Sequence, residues 1–220
     1  MNIAIIGTGY VGLVSGTCFA ETGNNVVCID INEEKINQLR RGETPIYEPG
    51  LDVLLERNIK EQRITFTTSL ADGIKDAQII FLALPTPTGK YGAADLQYVL
   101  GVANDLSKII TSYKVIVNKS TVPVGTAEKT TAVMLENLDP ALFDVVSNPE
   151  FLREGVAVED FLKPDRVVIG TTSDKARKLM DELYQPFVRQ GNPIYYMDER
   201  SSEMTKYAAN SYLAMRISFM

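Results

Sequence analysis

The chain has 220 residues, a net charge of −6, 45% apolar and 23% charged residues, which suits one large soluble domain, or one domain plus a piece of another. No basic stripe marks a nucleic-acid partner, and no apolar run is long enough to span a bilayer. The count of zero histidines excludes any imidazole base from these residues, and with two scattered cysteines no metal site is expected.

The N-terminal stretch is the most informative. Met1 to Ile6 reads as a strand, Gly7-Thr8-Gly9-Tyr10-Val11-Gly12 as a turn, the run to Gly23 as a helix, and Val26 to Ile29 as a second strand ending at Asp30. Gly7 permits a sharp turn, Gly9 lets backbone approach a pyrophosphate, and Gly12 lets helix and strand pack closely. The helix N-terminus offers free N–H groups to phosphate. Asp30 stands 18 residues after Gly12, where a carboxylate accepts from ribose hydroxyls and repels a 2′-phosphate, so NAD is expected over NADP. This N-terminus has no basic n-region and does not read as a signal peptide. Cys18 and Cys28 read as small buried hydrophobes, and a reducing cytoplasm fits them.

Asn32-Glu33-Glu34 reads as an N-cap and first turn, with a helix to about Gly42. A loop follows through Pro45–Gly50, then a short helix carried by Leu51, Leu54 and Leu55. Strands are expected at Ile64–Phe66, Gln78–Leu84, Lys114–Asn118, Phe143–Val146, Asp165–Gly170 and Pro193–Met197. Helices are expected at Asp95–Ile110, Ala127–Asn137 and Ser173–Tyr184. The alternation predicts an α/β, Rossmann-like, doubly wound parallel sheet, whose ligands sit at the carboxyl ends of the strands. Thr86, Ser120–Thr121 and Asn148–Glu150 all fall at such ends. Thr121 alone would also serve as a helix N-cap.

Glu199 to Met220 lacks Gly and Pro and reads as the start of a long helix. Residues 1–198 are therefore expected to form the cofactor domain and 199–220 a connecting helix. Lys206 and Asn210 share one face of it, while Met204, Ala208, Tyr212 and Met215 are expected to make apolar contacts on other stripes. Its apolar, uncapped end implies that the natural protein continues.

The stretches IIGTGYVGLVSG, IYEPGL, GAADL, NKSTVPVGT, SNPEFLREG, VEDFLKPDRVVIG and EMTKYAANSYLAMRISF resemble the UDP-glucose 6-dehydrogenases, within the UDP-glucose/GDP-mannose dehydrogenase family, as their N-terminal NAD-binding portion. The resemblance implies oxidation of a primary alcohol twice, through an aldehyde, to a carboxylate, with a cysteine forming a thiohemiacetal and then a thioester. UDP-glucuronate for polysaccharide biosynthesis would be the product. It implies that Thr121 and Glu150 organise water and proton transfer, and that Lys206 and Asn210 hold the developing oxyanion. It also places Phe151, Leu152 and Arg153 along the nucleotide sugar, and Lys35 near the adenosine ribose. Gly7, Gly9, Tyr10, Val11, Gly12, Asp30, Lys35, Thr86 and Thr121 form the expected NAD site. A homodimer through the long helix is implied as well.

The family's cysteine and its accompanying aspartate lie in a glycine-rich segment beyond position 220, so this chain is expected to bind NAD without oxidising a nucleotide sugar. Three readings stay open beside UDP-glucose: a UDP-N-acetylmannosamine or GDP-mannose dehydrogenase, a β-hydroxyacid dehydrogenase of the 6-phosphogluconate type, and a non-catalytic NAD-binding module.

Overall fold

Alternation inside each strand sets the architecture. In β1 (Asn2–Ile6) the side chains of Ile3 and Ile5 point to one face of the sheet, and those of Ala4 and Ile6 to the other. In β4 (Ile79–Leu82) Ile79 and Phe81 are separated in the same way from Ile80 and Leu82. A strand that is apolar on both faces must be covered on both. The computed structural model, which describes residues 1–89, 92–189 and 191–220, has helices on each side. On the first face lie α1 (Tyr10–Glu21), α2 (Glu33–Arg40), α3 (Leu51–Lys60), α7 (Ala157–Leu162) and α8 (Asp174–Tyr184). Here Phe19 of α1 meets Phe81, Phe161, Tyr184 and Phe187 at ring separations of 5.0 to 5.8 Å. On the second face lie α4 (Leu70–Ile74), α5 (Gln97–Ile109) and α6 (Thr126–Leu135).

The remaining strands are β2 (Asn25–Ile29), β3 (Ile64–Thr67), β5 (Lys114–Asn118), β6 (Phe143–Ser147), β7 (Val167–Gly170) and β8 (Ile194–Met197). The eight form one sheet in the order β3-β2-β1-β4-β5-β6-β7-β8. The Rossmann-like α/β expectation holds, with one correction. β1 to β6 pair in parallel, but β7 pairs antiparallel to β6, with Ser147 opposite Gly170, and β8 runs parallel to β7. The reason lies in the β6–β7 connection. A parallel crossover needs a long return to the starting end of the sheet. Here the chain from Asn148 stays at the carboxyl end of β6, where Asn148 Nδ2 donates to the Val168 carbonyl at 2.8 Å, so β7 enters from that end.

The short helices α4 and α7 are additions to the sequence reading; at five and six residues they show too little periodicity to be recognised. The last helix, α9 (Glu199–Phe219), starts at the N-cap Asp198, which accepts from Ser201 N at 2.9 Å. Its buried residues are Ser202, Glu203 and Lys206. Met204, Ala208, Tyr212 and Met215 are exposed, which corrects the expected apolar contacts: α9 meets the sheet only along its first two turns, beside β7 and β6.

Candidate functional site

The first site grows out of β1. Gly7 has φ +99°, a left-handed conformation that favours glycine. A Cβ added at Gly12 would lie 1.9 Å from the Gly7 carbonyl oxygen and 3.1 Å from Ala83 Cβ, so α1 reaches the strand as closely as expected. Gly9 faces open space, and as N-cap it supplies no side chain to the first turn of α1, which also carries no acid. The early N–H groups of α1, at Tyr10, Val11 and Gly12, are therefore left for an anion.

Asp30 follows β2. Its Oδ2 accepts from Thr8 N at 2.9 Å and Thr8 Oγ1 at 2.7 Å, and lies 3.3 Å from Lys35 Nζ; its Oδ1 accepts from Asn32 N at 3.1 Å. Burial by itself would raise the pKa of this carboxyl, but the Thr8 and Asn32 donors and the Lys35 charge outweigh it and hold the pKa below the ordinary value. The ionised group keeps lone pairs free on Oδ1 for a ribose diol. These features fit a dinucleotide: open backbone donors for the diphosphate and a fixed carboxylate for the ribose.

Two more expected residues lie at the ends of β4 and β5. Thr86 Oγ1 donates to the Thr121 carbonyl at 3.0 Å. Thr121 is not a helix cap, because α6 begins five residues later behind Gly125. The backbone of that N-terminus is instead capped from α9, where Glu203 accepts from Gly125 N at 2.6 Å and Ala127 N at 2.8 Å.

The second site is a cavity of about 360 Å³ between the β6–β7 connection and α9. Glu150, Phe151, Leu152, Arg153, Lys206 and Asn210 line it, so six of the expected residues are brought together there; Thr121 is not among them. Lys206 Nζ lies 3.2 Å from Glu150 Oε1 and 5.1 Å from the centre of the Phe151 ring. Glu150 also accepts from Leu152 N at 2.8 Å, which fixes the turn of the connection. Arg153 pairs with Asp160 at 2.6 Å, and both residues line the cavity. Asn210 is exposed, one turn beyond Lys206 on the same face.

Sequence reading missed several buried charges, among them Lys119, Glu203 and Glu48. Lys119, 5% exposed, lines the floor of the cavity. It donates to Asn148 Oδ1 at 3.0 Å and Tyr184 Oη at 3.3 Å. Burial pushes its pKa down to about 8; the Glu150 charge opposes this and the Lys206 charge adds to it. Its signal was available, since a lysine directly follows the buried strand β5. Glu203 and Glu48 gave no such signal. Tyr10, expected in the cofactor site, commits its hydroxyl elsewhere: it donates to Glu48 Oε2 at 2.6 Å and lies 3.2 Å from the Arg153 carbonyl oxygen. Only its backbone faces the glycine turn's anion position.

The sequence pattern of the UDP-glucose/GDP-mannose dehydrogenase family, NAD binding domain, matches residues 1–188. The chain belongs to this family. Among UDP-glucose/GDP-mannose dehydrogenases, it is 52% identical over 220 residues to a UDP-glucose 6-dehydrogenase of Bacillus subtilis (strain 168), covering 100% of this chain and 47% of that protein. A solved UDP-glucose dehydrogenase from Pyrobaculum islandicum superposes with a TM-score of 0.94 at 39% identity, covering 99% of this chain and 51% of the other. A solved GDP-mannose dehydrogenase from Pseudomonas aeruginosa gives a TM-score of 0.94 at 32% identity, covering 100% and 51%. The chain thus spans about half the length of the curated relatives it matches. Membership in the family makes NAD the cofactor of this domain. Among the described residues no helix is long and apolar enough to cross a membrane.

Proposed function

We propose that the chain is the cofactor-binding portion of a UDP-glucose 6-dehydrogenase, and that its cavity receives the sugar end of the nucleotide sugar. The observation that carries this reading is the largely buried pair of Glu150 and Lys206, 14% and 9% exposed, lying over Phe151 in the cavity. A carboxylate beside an ammonium suits an alcohol that loses a proton as it is oxidised. Lys206 Nζ and the Asn210 amide donate to the oxygen as negative charge grows on it, and Glu150 holds or returns the proton. Bound NAD⁺ supplies the hydride acceptor. The backbone of Phe151–Arg153 lies along the substrate, and Thr121 orders water at the end of β5.

The identity to the Bacillus subtilis enzyme, 52% against 32% for the GDP-mannose dehydrogenase, favours UDP-glucose as the sugar nucleotide. Family membership sets aside the β-hydroxyacid dehydrogenase reading. The thiohemiacetal and thioester steps need a reactive thiol. Cys18 and Cys28 are fully buried, and burial pushes the pKa of Cys28 up to about 12 and that of Cys18 higher still. Neither thiol is an available nucleophile. The division at residue 198, dimerisation along α9, a cytoplasmic location and a place in polysaccharide biosynthesis belong to the same proposal.

The expected behaviour of this polypeptide is NAD⁺ binding without turnover. Calorimetry with NAD⁺ and a spectrophotometric assay of NADH formation with UDP-glucose test it. Turnover by the purified chain would overturn the inactivity. A chain that binds NAD⁺ but shows no UDP-glucose binding in calorimetry would leave a non-catalytic cofactor module.

A further inference from the structure

The loop before α3 is oriented against ordinary preference. Tyr47 is 90% exposed, while its neighbour Glu48 is 4% exposed. A loop that turns its aromatic ring to solvent and its charge inward needs a strong reason, because an unpaired buried carboxylate is costly. The reason is a set of three donors. Glu48 Oε2 accepts from Tyr10 Oη at 2.6 Å and Gly155 N at 2.9 Å, and Oε1 accepts from Ala157 N at 2.7 Å. Glu48 therefore joins the first residue of α1 to the segment that enters α7. Tyr10 Oη also lies 3.2 Å from the Arg153 carbonyl oxygen, so the two segments touch directly. Pro49 and Gly50 follow in the turn, and the Glu48 carbonyl accepts from Leu51 N at 3.1 Å, so the backbone of the loop is held as well.

We propose that Glu48 is a positioning residue that couples the dinucleotide turn to the Phe151–Arg153 segment, so that NAD⁺ binding orders the substrate side of the crevice. It rests on the proposed role of that segment. The physical basis is that all three partners are donors. An ionised carboxylate accepts from all of them; a carboxamide of the same shape must turn an N–H₂ toward one of them. A dinucleotide that binds the first turn of α1 restrains Tyr10, and Tyr10 restrains Glu48 and residues 153–157. By reciprocity, whatever fixes residues 153–157 tightens NAD⁺.

The experiment uses the full chain and the variants Glu48→Gln, Tyr10→Phe and the double substitution. Thermal melts check folding, calorimetry gives the NAD⁺ affinity, and amide hydrogen exchange follows Gly155 and Ala157 with and without NAD⁺. In the parent chain, NAD⁺ should slow exchange at both amides. Glu48→Gln should lose that response and bind NAD⁺ about tenfold more weakly, the scale of one lost charge-assisted hydrogen bond. The double variant should be hardly weaker than Glu48→Gln alone, because both act through one contact. Where Glu48→Gln does not fold, Tyr10→Phe, which keeps the ring, decides the question. A folded variant with lower melting temperature but unchanged NAD⁺ affinity and unchanged exchange response would reduce Glu48 to a structural cap and overturn the proposal. These readouts need no nucleotide sugar, so a failure of UDP-glucose binding is separately visible.

Discussion

The glycine turn and the cavity under α9 differ in how their parts are gathered. The turn draws Gly7, Gly12, Asp30 and Lys35 from one β-α-β unit and the helix after it. Its donors are backbone N–H groups, and its one carboxylate is held by its near neighbours Thr8, Asn32 and Lys35. The cavity draws Lys119 from the end of β5, Glu150 from the connection after β6, and Lys206 from α9. It works with side-chain charges removed from water, where the Glu150 carboxylate offsets the ammonium groups of Lys119 and Lys206, which oppose each other. A site of the first kind depends on shape at short range. A site of the second kind depends on a balance of buried charge.

The sharpest way to break the turn is Gly12→Ala. In a helix interior alanine is favoured over glycine by about 1 kcal/mol. The added Cβ, however, would lie 1.9 Å from the Gly7 carbonyl oxygen, and that is backbone that cannot move aside. The clash should win, with a net loss of about 3 kcal/mol in urea denaturation and NAD⁺ affinity reduced more than about tenfold. Wild-type stability and affinity in this variant would remove the close-packing account of the turn.

Lys206→Met tests the other side. It leaves Glu150 without its cation, at a cost of roughly 2 kcal/mol, below that of a fully buried pair because both side chains keep some solvent. Glu150→Gln combined with Lys206→Met should cost less than the two separate losses added together, measured by the same denaturation. NAD⁺ affinity should change by less than about twofold, on the scale of surface-type effects. A tenfold loss would erase the distinction between the two sites.

The last test concerns Lys119, and its effect appears as a slope. Its pKa in the folded chain is about 8, against an ordinary value of 10.5, so between these values the unfolded chain holds more protons. Stability should therefore rise with pH across that window, relative to Lys119→Met, and the difference should level off below about pH 8. Parallel melts of the two proteins over this range check the sign. A difference independent of pH would show that the ammonium is not strained by burial.

Much of the fold could be read from the chain. The eight strands announced themselves as short apolar runs, and Asn32 and Ser173 cap α2 and α8 as their residue types suggest. The geometry of the glycine turn was readable because most of its requirements are local. The reversal of β7 was not readable, because strand direction depends on where the preceding connection spends its length. The exposure of Met204, Tyr212 and Met215 was hidden too, since apolar spacing on a helix does not say whether a partner lies alongside.

The order of glycines and the placement of Asp30 were sufficient by themselves to point to a Rossmann-like, mostly parallel sheet and to NAD as the cofactor. Backbone conformation and side-chain size act largely within one β-α-β unit, although Gly12 also packs against Ala83 after β4. The tertiary structure alone decided that Glu48, Lys119 and Glu203 are buried, that Tyr10 turns its hydroxyl to a carboxylate, and that Glu150 meets Lys206. Burying a charge is favourable only when donors or counter-charges from distant parts of the chain arrive together, and that meeting exists only in the fold.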